Sequence, residues 1–282
     1  MNYLLDPKIV ESLLEKPIEL NGKSFHYTNE ELDHIKQEAN RLFNEFTAGK
    51  TPRPENERRY FITAGGPGSG KSTLVEQLIE VDPVMKNAVY VDPDETIMRN
   101  MPAFKKDVSK NGVEDAYSKW RWASQYIWHS IRNRAAQEGY DIINGTTATS
   151  DLVNLEYENV LKAGYKPVTI AVCASEQVRR ESVQKRYDVT GERYVPEEDI
   201  KNKGAAFFDK IPLYIRYSSA VHFYHRDEMS KDAELALTSV KGRANERGKA
   251  YEKFIAELVD NGVEVQALFD IPRRKPHTKL GL

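Results

Sequence analysis

"YFITAGGPGSGKSTLVEQLIE", Tyr60 to Glu80, decides how the rest of the chain is read. An apolar run enters a knot of glycines and leaves as a helix with Lys-Ser at its mouth. Gly65-Gly66-Pro67-Gly68-Ser69-Gly70-Lys71-Ser72 satisfies the pattern G-x-x-x-x-G-K-[ST], and Thr73 follows it. Glycines allow main-chain N–H groups to turn inward at dihedrals that a Cβ forbids. The inward amides and the helix N-terminus then form a preformed anion site. Lys71 adds a point charge for β- and γ-phosphates, and the Ser72 hydroxyl can ligate Mg2+. Leu74, Leu78 and Val81 share one face of the following helix. The mouth is expected to hold a nucleoside triphosphate; the motif is silent on the reaction that follows.

Outward from this stretch, short apolar runs alternate with helical segments. "YFITA", "AVYVD", "YDIIN", "KPVTIAVCA" and "SAVHFYH" read as strands rich in Val, Ile and Tyr. Helices are expected near Lys71, near Val113 and at Asp151. Such alternation predicts an α/β fold of the P-loop NTPase kind, a parallel sheet flanked by helices. A helical extension and linker are expected over 1–57, the sheet domain over 58–228, and a helical and strand extension over 229–282. In the first, "TNEELDHIKQEANRLFNEF" carries a cap at Thr28 or Asn29, with Glu31 placed for a capping box. Leu32, Ile35, Ala39, Leu42, Phe43 and Phe46 give that helix one apolar face, and the proline-bearing "TAGKTPRPENERR" reads as a linker. In the last, "MSKDAELALTSVKGRANERGKAYEKFIAELVDNG" reads as a charged, helix-like tail before the basic end "PRRKPHTK", a solvated terminus.

Composition sets the bounds. The 282 residues are 40% hydrophobic and 30% charged, as in a folded globular chain, and a formal net charge of −2 offers no basic field for nucleic acid. One cysteine, Cys173, excludes an internal disulfide framework or a Cys-based metal cluster and is read as a small buried hydrophobe. Asp6 and Glu11 interrupt any signal-peptide core, and no segment approaches the roughly 20 apolar residues that span a bilayer. The expectation is a cytoplasmic protein that works on neither membrane nor nucleic acid.

The remaining candidate residues cluster after strands. "AVYVDPDETIMRNMPAF" places Asp92 and Asp94 where the second strand leaves the sheet, at the edge that carries ligands in open α/β folds. Either can take the proton of an attacking hydroxyl or hold Mg2+ through water, and either can instead cap the next helix. No D-x-x-G follows that strand and no N-K-x-D occurs, which disfavours a GTPase and leaves a small-molecule kinase as the better fit. "YDIINGTTATSDLVN" brings Asn144, Thr146 and Thr147 to the same edge, while Thr149, Ser150 and Asp151 read as a helix cap. "RRESVQKRYDVTGERYVPEEDI" resembles a lid in composition, with Arg186 and Arg193 flanking its flexible part and Arg179 and Arg180 on a solvated helix face. Trp120, Trp122 and Trp128 share one helix and are read as packing, and His129 as structural.

In their order these pieces resemble the zeta-toxin kinases, the toxin halves of bacterial epsilon–zeta modules. The matching residues are "GGPGSGKST" at Gly65–Thr73, "VDPDETIMRNMPAF" at Val91–Phe104, "GYDIINGT" at Gly139–Thr146 and "RYDVTGERYVP" at Arg186–Pro196. The resemblance spans roughly residues 58–228. It implies an ATP- and Mg2+-dependent kinase of UDP-N-acetylglucosamine-type amino sugars, with a protein antitoxin as possible partner. It also implies that Asp94 is the catalytic base, that Arg186 and Arg193 are the lid arginines, and that Lys71 is the phosphate lysine. Asp92, Asn144 and Thr146 fall on the acceptor side, and Ser72 on the metal. The family usually has a glutamate before Gly-Thr, a residue that helps hold the sugar nucleotide, where this chain has Asn144. That exchange removes a charge, so NAD or a nucleoside is an alternative acceptor, and a nucleotide-dependent binding module without catalysis is the alternative of another class.

Overall fold

The computed structural model describes residues 3–269 apart from 192 and 242, so the basic end lies outside the described residues. Seven strands form one sheet in the order β4–β5–β3–β6–β7–β8–β9. Their ranges are β3 Arg59–Ala64, β4 Val89–Val91, β5 Ile142–Asn144, β6 Lys166–Ala174, β7 Ala220–Arg226, β8 Glu234–Val240 and β9 Arg243–Arg247. The first five are parallel, with Ile62 and Val91 both opposite Asn144, and β8 and β9 continue antiparallel from β7. From β3 the chain goes to one side for β4 and β5 and to the other for β6 and β7. Such a reversal opens a crevice at the carboxyl ends of the strands.

Alternation along the buried strands divides the apolar residues between two faces. Phe61, Ile143, Ile170 and Val172 pack with Leu74 and Val75 of α3 (Lys71–Val81) and Met85 of α4 (Pro83–Lys86). Tyr60, Ile62, Val91, Ala171 and Phe223 face the larger core. That core is closed by α2 (Asn29–Thr47), α6 (Val113–Glu138), α7 (Val153–Lys162), α9 (Glu197–Tyr217) and α10 (Tyr251–Asp260). Cys173 is buried there. The sheet, flanked by helices on both faces, is the α/β architecture expected of the phosphate-loop motif.

The preface begins with α1 (Pro7–Ser12) and a small antiparallel hairpin of β1 (Ile18–Leu20) and β2 (Lys23–Phe25). Thr28 and Glu31 then form the reciprocal capping box that starts α2, and Ile35, Ala39, Leu42 and Phe43 face inward. Tyr27, just before that cap, has its hydroxyl inside the ladder of α6: Ala123 N–H donates to it (3.1 Å) and it donates to the Lys119 carbonyl (2.6 Å). The tail departs from the helical expectation over residues 234–247. There Leu235, Ala236 and Leu237 extend the sheet beside β7, and only Tyr251–Asp260 and α11 (Val265–Phe269) are helical. An open sheet edge at β7 offers a ladder of unpaired main-chain groups, and pairing it outweighs the weak helical pattern of the segment. No helix among the described residues is long and apolar enough to cross a membrane.

Candidate active site

The phosphate loop leaves β3 at Ala64 and is tied at once to the loop after β5, where Gly65 N–H donates to the Thr147 carbonyl (3.0 Å). Gly68 has φ +78°, and a Cβ there would lie 2.2 Å from the Arg179 carbonyl oxygen, so no other residue fits. Lys71 opens α3 and turns its ammonium back onto the Gly65 and Gly66 carbonyls (2.9 and 3.0 Å), at the place phosphate oxygens would take. Ser69 Oγ is buried with no hydrogen-bond partner among the described residues, an acceptor and donor left over inside the cradle. The Tyr90 phenol of β4 lies beside Ser72. These are the features a triphosphate needs.

Burial pushes the Lys71 ammonium down to about 8, with Arg186 and Arg179 adding repulsion and Asp92 and Glu95 opposing it. A bound triphosphate favours the charged amine and draws a proton onto it. Above about pH 8 the free protein must therefore take up a proton to bind. ATP affinity is expected to weaken about tenfold between pH 7 and pH 9, with proton uptake at the higher pH. Calorimetry in two buffers of different ionisation enthalpy checks this; pH-independent affinity without uptake contradicts it.

After β4 the two acids take different roles. Asp92 Oδ1 accepts from the main-chain N–H groups of Asp94 and Glu95 (2.9 Å each), capping a five-residue π-helical turn, Pro93–Ile97. Its Oδ2 lies against Gly145, where an added Cβ would come within 2.3 Å. Burial raises its carboxyl to about 6, assisted by the charges of Asp94 and Glu95. Asp94 opens to the cleft, and its carboxylate forms no hydrogen bond or ion pair among the described residues. The walls of the cleft lift its carboxyl, while Arg193, Arg186, Arg99 and Lys203 draw it down. Ser124 of α6 donates to the Pro93 carbonyl and holds the turn in place.

Asn144, expected on the acceptor side, is fully buried and its carboxamide is engaged. Trp128 Nε1 donates to Asn144 Oδ1 (2.9 Å), and Asn144 Nδ2 donates to Glu156 Oε1 (2.6 Å). Arg132, 4% exposed, donates to the same Glu156 oxygen (2.5 Å) and to the Tyr60 hydroxyl (2.6 Å). Its guanidinium also lies 4.4 Å from the Trp128 ring centre. Thr146 supports its loop, with Oγ1 accepting from Ala148 N–H (3.2 Å) and N–H donating to Thr63. His129 lies tilted against the Trp128 ring beside Arg132, and burial followed by that cation keeps its imidazole neutral. The sequence reading missed Arg132 and Glu156; the available signal was a charged residue among Ile127, Ile131 and Ala135 on a core-facing helix.

The segment expected to act as a lid comprises α8 (Glu176–Thr190) and the stretch leading into α9. Arg186 pairs with Glu95 (3.4 Å), Arg193 pairs with Glu114 (3.3 Å), and the Arg193 guanidinium lies 4.2 Å from the Tyr117 ring centre. Arg186 is close enough to bear on the charges of both Lys71 and Asp94. Arg180 is solvated and paired with Glu176 and Glu197, as expected. Arg179 is not on a solvated face. It is buried beneath the phosphate loop, donating to the Ala174 and Ile200 carbonyls, and packs against Gly66 and Gly204. Adjacent residues on a helix point 100° apart, so one arginine of the pair can be buried while the other is not.

The family model for zeta toxin matches residues 44–213, well over half of the chain. The chain belongs to the zeta toxin family. With that family it is a P-loop kinase, a phosphotransferase with a nucleotide-binding cradle. A comparison with curated proteins finds no match. Among solved structures, this zeta toxin family member is similar to one from the PezAT toxin–antitoxin system of Streptococcus pneumoniae, with TM-score 0.57 and 17% identity over 86% of this chain and 98% of that one. It is also similar to AvrRxo1-ORF1:-ORF2 with ATP, with TM-score 0.57 and 12% identity over 84% of this chain and 72% of that one. At these identities the likeness is one of fold. Within the zeta toxin frame, Lys71, Asp92, Asp94 and Arg186 come together at the carboxyl edge of the sheet. The Asn144 carboxamide is instead engaged by Trp128 and Glu156.

Proposed function

We propose that this kinase transfers the terminal phosphoryl group of ATP to a hydroxyl of a nucleotide-type metabolite, of the UDP-N-acetylglucosamine kind. The observation that carries the reading is Asp94: a carboxylate with no side-chain hydrogen bond or ion pair among the described residues, within the field of Arg193 and Arg186. The amides of Gly66–Ser72 and Lys71 hold the phosphates, and Ser69 Oγ gains the partner it lacks. When bound beside Ser72, Mg2+ neutralises charge on the β- and γ-phosphate oxygens. Asp94 accepts the proton of the attacking hydroxyl as the oxygen–phosphorus bond forms and ADP leaves. Arg186 and Arg193 exchange Glu95 and Glu114 for the phosphoryl oxygens, and the lid excludes water. Asp92 serves by fixing the turn that presents Asp94, and Asn144 and Thr146 by shaping the acceptor side.

A cytoplasmic setting suits a chain whose one cysteine is buried. A protein antitoxin is a fitting partner, since the similar structures come from a toxin–antitoxin system and an ORF1:ORF2 complex. The test is incubation with γ-labelled ATP, Mg2+ and a panel of UDP-sugars, NAD and nucleosides. Label on a UDP-amino sugar supports the reading. Label on NAD or a nucleoside moves the acceptor to that class. ATP binding with no label on any acceptor favours the binding module.

A further inference from the structure

At the end of β7 a single guanidinium gathers three parts of the nucleotide site. Arg226 Nη1 donates to the Gly68 carbonyl of the phosphate loop (3.3 Å) and to Ser182 Oγ on α8 (3.1 Å). Its Nε donates to the Lys231 carbonyl (3.0 Å) and its Nη2 to the Met229 carbonyl, both in the turn after β7. The side chain runs under Gly70, where an added Cβ would come within 3.3 Å of it. Only a planar fork with several fixed donors can serve these partners at once; a lysine ammonium cannot.

The partner on α8 is well placed to matter. Arg179, Ser182 and Arg186 stand at i, i+3 and i+7, on one face of the helix. Arg179 is locked beneath the phosphate loop, Ser182 is held by Arg226, and Arg186 is the next residue along that face. Rotation or sliding of α8 that carries Arg186 off the terminal phosphate must first break the Ser182 contact. We propose that Arg226 is a positioning residue that registers the lid helix on the phosphate loop and so aims Arg186 at the γ-phosphate. The proposal rests on the reading that a triphosphate occupies the cradle with Arg186 over it.

The experiment measures dissociation constants of ATP and of ADP, with excess Mg2+, for the full chain and its variants. An arginine that meets the γ-phosphate favours ATP over ADP, and Arg186→Ala is expected to lower the ADP-to-ATP ratio about tenfold. Arg226→Met is expected to lower the same ratio at least about threefold, and to change it less than about twofold in the Arg186→Ala background. A role in stability alone would weaken both nucleotides together and leave the ratio unchanged. Ser182→Ala removes the lid-side contact from a partly exposed helix position and is expected to lower the ratio in the same direction. The proposal is overturned if folded Arg226→Met keeps the wild-type ratio, or if its effect and that of Arg186→Ala simply multiply. Should Arg226→Met not fold, an unchanged ratio in Ser182→Ala overturns it. The reading beneath it has a separate check, for Lys71→Ala binding both nucleotides like wild type would remove the cradle itself.

Discussion

Asp94→Asn is expected to lower phosphotransfer by about 10²- to 10⁴-fold while ATP affinity stays within about twofold of wild type. The substitution leaves the shape of the Pro93–Ile97 turn alone, because that turn is capped by the Asp92 carboxylate and not by Asp94. No side-chain hydrogen bond or ion pair among the described residues is lost, so the melting temperature should barely move. What disappears is an acidic group with no side-chain hydrogen bond or ion pair among the described residues, within the field of Arg193 and Arg186. An asparagine there can orient a hydroxyl but cannot take its proton. Turnover measured with the labelled acceptor, beside calorimetric ATP binding, separates the two quantities. Wild-type turnover in this variant would end the assignment of Asp94 as base.

Glu156→Ala is expected to have the largest effect on stability. Arg132 is buried in the core, and Glu156 is the carboxylate that balances it, 2.5 Å away. Removing one partner strands a charge in a low-dielectric interior, at a cost of about 3 kcal/mol. For a chain of this size that corresponds to a melting temperature lower by roughly 6–12 °C. The Trp128–Asn144 contact also loses its anchor, because Asn144 Nδ2 donates to Glu156. Combining Glu156→Ala with Arg132→Met should restore much of the loss, since the stranded charge goes with the arginine. Equal melting of wild type and Glu156→Ala would show that the pair carries no such energy.

Local features were legible in the sequence and distant ones were not. The phosphate loop could be read from Gly65 to Ser72 because its conformation is dictated by its own glycines and by the helix it opens. The capping box of Thr28 and Glu31 is equally local. Asn144 looked like a group facing the acceptor because its position at a strand end was visible and its partners were not. Those partners, Trp128 and Glu156, come from two different helices. Arg179 was hidden for a related reason: a helix as charged as "VRRESVQKRY" shows no apolar stripe to mark its inner face, and the loop that buries the guanidinium lies a hundred residues earlier. The strands of the tail were missed because "ELALTSV" has few β-branched residues, and only the unpaired edge of β7 gives it a place.

The Tyr27 hydroxyl within α6 bears on which stretch of chain must fold as a unit. A phenol standing where Ala123 N–H would otherwise meet the Lys119 carbonyl is a splice: the helix is completed by an atom from another part of the chain. Cutting the preface away would leave two main-chain groups facing a ring-sized hollow, directly below the stretch of α6 whose Ser124 steadies the turn carrying Asp94. The portion shared with relatives begins at residue 44. The portion that this kinase needs in order to keep its own wall straight reaches back at least to Tyr27, so ancestry and foldability draw their borders in different places.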